Sequence, residues 1–202
     1  MSIRFSFKTK NDKKIKVFSG GQQLAPDQIK KIRLCHIKQL TQNNNYSEER
    51  RLPDTSYNCH GMTFINKLGI LGTIQRQKVS IYTPGGPEYL CDTKAAVDDI
   101  RIILTGNGYT KKAEKANIPE DDILKEDNIV QGDVVLYFRN NAVGHSCIAY
   151  EILTVADKIK LKVLSKLGLS GGEHFHYIDN DFIVKMYGKH IQIWSDSKGK
   201  HD

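Results

Sequence analysis

The pattern of hydrophobic residues changes at Gly132, and this change restricts most strongly what the chain can fold into. Beyond that point hydrophobic and polar residues alternate with a period of two, as in strands that bury one face. In the hairpin 145–165, for example, Ile159 and Leu161 alternate with lysines. The predicted strands cover residues 133–138, 145–153, 159–165 and 190–194. Because helical patterns precede them, the sequence predicts an α+β fold with an antiparallel sheet.

Helical periodicity marks segments that come before the strands. One helix begins at Pro26 and extends to Leu40, and a second covers residues 59–68. A third follows Thr93, a candidate cap, and ends at Gly106 or Gly108.

The remaining segments are predicted from turn residues and composition. The polar run 42–54 and the acidic stretch 119–127 read as loops. Residues 3–8 and 14–17 alternate around Asn11-Asp12, which predicts a β-hairpin. The predicted organisation is a β-hairpin and helix extension over residues 1–50, a main domain over 51–195 and a disordered tail over 196–202.

Length and composition exclude several classes of protein. The chain has 202 residues, of which 39% are hydrophobic and 26% charged, so it is neither disordered nor a membrane protein. No apolar run approaches the roughly 18 residues that span a bilayer. The first residues lack a secretory signal, which predicts a cytoplasmic location or export without a classical signal peptide. The net charge of +7 is spread along the chain, so no specific nucleic-acid partner is expected, and the oligomeric state is not predicted.

The four cysteines are far apart and form no CxxC pair, which excludes zinc-ribbon and thioredoxin motifs. We expect free thiols in a reducing compartment. Cys59 alone lies at the start of a predicted helix, where unpaired N–H groups and the helix dipole favour a thiolate. Cys59 is therefore the candidate nucleophile, and the alternative is a buried packing cysteine.

A thiol nucleophile needs a proton carrier, and His145 is the best placed of seven histidines. It begins a predicted strand, and the small residues Cys147 and Ala149 follow on its face, which would let a helix pack closely. Hairpin pairing puts residue 165 or 166 opposite His145, so Ser165 is a candidate to orient its ring.

Two further histidines are candidates for the same orienting role. His174 and His176 follow the Gly171-Gly172 turn and can fold back towards His145. They share one strand face, but no third ligand stands at metal-site spacing, so neither a metal nor a cofactor is predicted.

The order of these motifs resembles papain-like cysteine hydrolases of the NlpC and CHAP type. Asn58-Cys59-His60-Gly61 at the head of a helix is similar to their nucleophile segment. Gly132-Asp133, and then Gly144-His145-Ser146, are similar to their Gly-Asp strand and histidine strand. The resemblance covers roughly residues 55–170. It implies a papain-like fold with N-terminal helices packed on an antiparallel sheet, and cleavage or transfer at an amide or ester carbonyl.

The resemblance also implies roles for the residues around Cys59. The backbone N–H of Cys59 would form part of an oxyanion hole, with Tyr57 or Asn58 as a side-chain donor. His60 belongs to the same substrate-binding segment, although the usual motif has a small residue at this position.

The function predicted from these residues is cleavage of a peptide or isopeptide bond through a thioester, with a peptide, a protein or peptidoglycan as substrate. One alternative is a delivered toxin or effector that acts as a protease, deamidase or acyltransferase on a host or competitor protein. An inhibitor or immunity protein would then be a partner. A second alternative is a non-catalytic module that binds an anionic polymer.

Overall fold

The structure, a computed structural model, describes residues 3–8, 14–19, 24–43, 46–53, 59–67, 79–80, 94–118, 120–168 and 171–196. A helical turn at residues 59–60 continues as a π-helix, Gly61–Lys67, and the two together are called the 59–67 helix. The other main elements are β1 (Ile3–Lys8), β2 (Lys14–Ser19), α1 (Pro26–Leu40), β3 (Tyr46–Arg51), β4 (Val79–Ser80), α2 (Lys94–Gly106), β5 (Tyr109–Lys115), β6 (Ile123–Leu124), β7 (Val134–Arg139), β8 (Ala142–Val155), β9 (Lys158–Lys166), β10 (Glu173–Tyr177), α3 (Asp181–Tyr187) and β11 (His190–Asp196).

The main sheet contains eight strands in the described residues, and its pairs are all antiparallel. Seven follow the order β3-β10-β9-β8-β7-β11-β5, and β6 pairs with β9. β1 and β2 form the predicted hairpin, and β2 also pairs with β4. The predictions of an α+β fold, an antiparallel sheet and the N-terminal hairpin are therefore confirmed.

Each face of the sheet is covered by different helices, which decides what the site residues can reach. On one face Cys147 and Ala149 of β8 pack in a core with Tyr187 of α3 and Leu40 of α1. This is the α3 face. On the other face Met62 of the 59–67 helix packs against strand residues Ile148, Leu164 and Phe175. This is the Met62 face.

The strands β3, β4, β5, β6 and β10 are not among those that the sequence predicted. β3 lies within the predicted loop 42–54, β6 lies within the predicted acidic loop, and β5 directly follows α2. β3 and β5 end the strand order, and in β5 only Tyr109 and Ala113 are buried. An edge strand is held by backbone hydrogen bonds and carries charged side chains, so it shows no hydrophobic alternation. The domain boundary predicted after residue 50 falls inside β3.

The predicted helices agree closely with the structure, and α3 is an additional one. α1 covers residues 26–40, and α2 ends at Gly106, while its predicted cap Thr93 lies outside the described residues. The side chain of Asn180 caps α3 by accepting from the N–H groups of Phe182 and Ile183. The predicted tail beyond residue 196 is also outside the described residues. No helix in the described part is both long and apolar enough to cross a membrane.

Candidate active site

Cys59 opens the 59–67 helix and is 5% exposed. The predicted helix is confirmed, and from Gly61 it winds as a π-helix, a rare geometry that often marks functional sites. Backbone N–H groups of a first helical turn favour negative charge on a nearby sulfur. Tyr57 and Asn58, the predicted oxyanion donors, lie outside the described residues.

His60 ties the 59–67 helix to the Met62 face. Its Nδ1 lies 2.8 Å from the hydroxyl of Ser146, which donates to Thr63 Oγ1 at 3.1 Å. With its own proton committed to Thr63, Ser146 accepts from a protonated Nδ1. The His60 ring also stacks on Phe64. Burial lowers the pKa of His60 to about 4, so its ring is neutral at pH 7 and anchors the helix.

His145 lies one residue before Ser146 in β8, so its side chain points to the opposite, α3 face. It is fully buried, and its ring stacks on Tyr187 with centroids 4.1 Å apart and planes 10° apart. Neither ring nitrogen has a hydrogen-bond partner among the described residues. Burial lowers its pKa well below 6.5, and the charges of His176 and His60 lower it further.

The predicted pairing of Ser165 with His145 is wrong. The chain turns at residues 156–157, and Ser165 pairs with Cys147. Irregular pairing between Ala149 and Glu151 contributes to this register. His145 pairs instead with Tyr137 of β7 on its other side.

Ser165 therefore orients another histidine. Its hydroxyl lies 2.8 Å from His176 Nε2, while His176 Nδ1 lies 2.8 Å from the carbonyl oxygen of Tyr177. A carbonyl can only accept, so Nδ1 carries the proton and Ser165 donates to Nε2. Burial lowers the pKa of His176 to about 4.

His174 is directed towards α1. It pairs with Ser165 across the sheet, and its ring meets the ring of His36 edge-on at 6.3 Å. Burial, the largest cause, and the charges of His36, His176, Lys166 and Arg33 lower its pKa to about 3. Neither His174 nor His176 makes the predicted hydrogen bond to His145.

An electrostatic effect links Cys59 to the α3 face. Burial and then the Cys59 thiolate raise the pKa of Cys147, and the same two causes raise the pKa of Tyr187. The sulfur of Cys59 is thus within Coulombic reach of the ring on which His145 stacks. Cys147, Tyr187 and His145 share the α3 face, and the charge of Cys59 acts on the first two of them.

A helix does pack on Cys147 and Ala149, as predicted, and that helix is α3. α3 and α1 occupy that face, and the helix that begins at Cys59 lies on the Met62 face. Small residues permit close packing, but they do not select which helix approaches.

Tyr187 is a site residue that the sequence analysis missed. The sequence does contain a pattern that indicates the helix carrying Tyr187. Asn180 can cap the helix, Ile183, Val184 and Tyr187 follow at helical spacing, and Gly188 ends it. Gly188 has φ +106°, and a Cβ there would lie 1.9 Å from the carbonyl oxygen of Phe138, so no other residue fits.

Two thiols besides that of Cys59 lie in the described residues. Cys35 is exposed, whereas the buried Cys147 thiol lies 3.7 Å from the carbonyl oxygen of Val135; both are free thiols, as predicted. Cys91 lies outside the described residues. Within the described ranges, no group of three histidine, cysteine or acidic side chains is arranged to hold a metal ion.

Comparison with known proteins gives no relative: no family model, no curated protein and no solved structure matches the chain.

Proposed function

We propose that the chain is a papain-like cysteine hydrolase in which Cys59 is the nucleophile and His145 is the general base. The observation that carries the proposal is the buried imidazole of His145, whose two nitrogens have no hydrogen-bond partner in the part of the chain that the structure describes. Leaving a buried polar group unpaired costs about 1–3 kcal/mol, and native proteins retain few such groups without a role. The Coulombic effect of Cys59 on Tyr187, against which His145 stacks, supports pairing these two residues.

The proposed reaction follows acyl-transfer chemistry. The thiol proton of Cys59 passes to His145 while the sulfur bonds to an amide carbonyl carbon, giving a tetrahedral oxyanion. The C–N bond then breaks, and the imidazolium returns the proton to the leaving amine. Water hydrolyses the thioester, with His145 taking a proton from water and returning it to the sulfur. The substrate class that we propose is a peptide or isopeptide, including cell-wall peptides.

The low pKa of His145 favours a resting state in which the Cys59 thiol and the His145 imidazole are both neutral. Because burial lowers the pKa of His145 well below 6.5, its imidazole is uncharged at pH 7. A preformed thiolate–imidazolium pair would need a charged imidazole in the same buried position. Proton transfer to His145 therefore accompanies the attack on the carbonyl carbon. The 59–67 helix packs on the Met62 face and His145 points to the α3 face, so the proposed reaction requires the Cys59 sulfur and the imidazole to come together.

Alkylation by iodoacetamide tests the pairing of Cys59 with His145. We expect the Cys59 rate to rise steadily from pH 6 to pH 8, because the resting pair is neutral. His145→Gln should lower this rate at pH 7.5 by about tenfold or more, since the proton acceptor is lost. The rate at each cysteine is measured by mass spectrometry of proteolytic peptides, and the exposed Cys35 is the internal reference.

The matched control is His190→Gln, because His190 is bonded to Glu114 on the β11–β5 side of the sheet. This variant should leave the Cys59 rate unchanged. If His145→Gln also leaves the ratio of the Cys59 rate to the Cys35 rate unchanged, His145 is not the base.

A non-catalytic module that binds an anionic polymer is the second candidate, and the basic surface of α1 favours it. Four basic side chains of α1 are exposed: Lys30, Lys31, Arg33 and Lys38. Charge reversal of Lys30 and Lys31 would weaken binding to a polyanion such as heparin, and the binding would fall with added salt. Salt-sensitive binding together with a Cys59 no more reactive than Cys35 would favour this candidate over the hydrolase.

A further inference from the structure

A groove of about 320 Å³ lies at the end of β8 opposite to His145, next to the β8–β9 turn. Its floor is apolar because β6 pairs with β9 there, with Ile123 opposite Ile159. The buried side chains that form the floor are Ile118, Ile123, Ile159, Leu161 and Ile178. None of the residues proposed for catalysis lines it.

The charged side chains around the groove have different partners. Asp121 accepts from the backbone N–H of Asn117 at 2.6 Å, and Asp122 pairs with Lys158 at 2.6 Å. The ammonium of Lys160 lies over the Tyr177 ring, 4.3 Å from its centroid. Three carboxylates thus line the groove against two ammonium groups, which leaves an excess of one negative charge.

Asp179 supplies the carboxylate that is least satisfied. Its Oδ1 atom is buried and has no hydrogen-bond partner among the described residues. Burial raises its pKa most strongly, a hydrogen bond from its own backbone N–H and the charge of Lys160 lower it, and Asp181 raises it. A buried carboxylate oxygen without a donor is a favourable place for a ligand that brings both a donor and a positive charge.

We propose that this groove binds a primary alkylammonium group, carried by a lysine side chain or a free polyamine, with the ammonium on Asp179 and the methylenes on the apolar floor. Each methylene that leaves water for this floor adds to the affinity. An ammonium suits this site because its compact charge on an unbranched stem matches a single carboxylate beside an apolar floor. Anionic ligands are disfavoured by the excess negative charge.

Titration of the ¹⁵N-labelled full chain, followed by NMR, tests the proposal. n-Pentylamine should give saturable shifts at the amides of Ile123, Ile159 and Ile178, and n-pentanol should bind at least about tenfold more weakly, because it lacks the charge. Asp179→Asn should weaken n-pentylamine binding by about tenfold. The matched control is Asp122→Asn, which removes a carboxylate already paired with Lys158 and should change binding much less.

The source of the ammonium group is then distinguished by two further ligands. Tighter binding of Nα-acetyl-lysine methylamide than of spermidine indicates a lysine side chain, and the reverse indicates a polyamine; both support the proposal. Equal shifts with n-pentanol and n-pentylamine would overturn it, as would unchanged affinity in a folded Asp179→Asn variant. The comparison of amine with alcohol uses the unmodified chain and so does not depend on the folding of a variant.

Discussion

Cys59→Ala is expected to abolish turnover, with a loss of at least about 10⁴-fold in kcat/KM, because the variant lacks the sulfur that forms the thioester in the proposed reaction. The fold should stay cooperative, since removing one buried sulfur costs on the order of 1 kcal/mol. The measurements are hydrolysis of a panel of peptide amides, isopeptides and cell-wall peptides, and urea unfolding of the same samples.

Cys147→Ala is the matched control for Cys59→Ala, because Cys147 is also a buried free thiol but donates to the carbonyl oxygen of Val135. We expect it to lose a similar amount of stability and to retain most of the activity. Hydrolysis that persists in Cys59→Ala would show that the nucleophile has been assigned wrongly.

Acidification from pH 7 to pH 4 is expected to destabilise the fold strongly through its buried histidines. The pKa values of His60 and His176 are about 4 in the folded chain, and that of His174 is about 3. An unfolded chain has histidine pKa values near 6.5, so below pH 6.5 it binds more protons than the folded chain. The stabilisation is therefore fully present above pH 6.5 and is lost as the pH falls towards the folded values.

The expected loss is about 3 kcal/mol by pH 4 for each fully buried histidine, because one pKa unit corresponds to about 1.4 kcal/mol. Two such losses are comparable with the whole stability of a typical domain. Urea midpoints at pH 7, 6, 5 and 4.5 measure the effect. His176→Gln should reduce the proton uptake on unfolding by about one proton. A midpoint that stays constant between pH 7 and pH 5 would contradict the burial of these rings.

The central strands could be predicted from sequence because their burial imposes a pattern. Ile159, Leu161 and Val163 are buried on β9, while Lys158 and Lys160 are exposed, as the alternation indicated. The edge strands could not be predicted from sequence, because a strand such as β3 pairs with only one neighbour and tolerates charged side chains along its length. Local pattern thus predicts strands where one face is buried and fails where backbone pairing alone holds them.

The side chains of the site were predicted less completely than the strands that carry them. The position of Cys59 at a helix start and that of His145 near the start of a strand depend on local sequence, and the structure confirms both positions. The predicted partner of Ser165 depended on the position of the turn between β8 and β9. A small error in that position paired Ser165 with His145, whereas it pairs with Cys147. The face on which a helix packs is a tertiary property: His60 and Ser146 hold the 59–67 helix to the Met62 face through hydrogen bonds that no sequence spacing reveals.

Mapping the labelled cysteine after reaction with an electrophilic peptide probe tests the proposed function most directly. Peptide mass spectrometry of the full chain and of His145→Gln would identify the modified residue among the four cysteines. We predict that a peptide vinyl sulfone modifies Cys59 of the unaltered protein in preference to the exposed Cys35, and that His145→Gln removes this preference. Modification of Cys35 alone, or labelling of Cys59 that is independent of His145, would contradict a Cys59–His145 hydrolase.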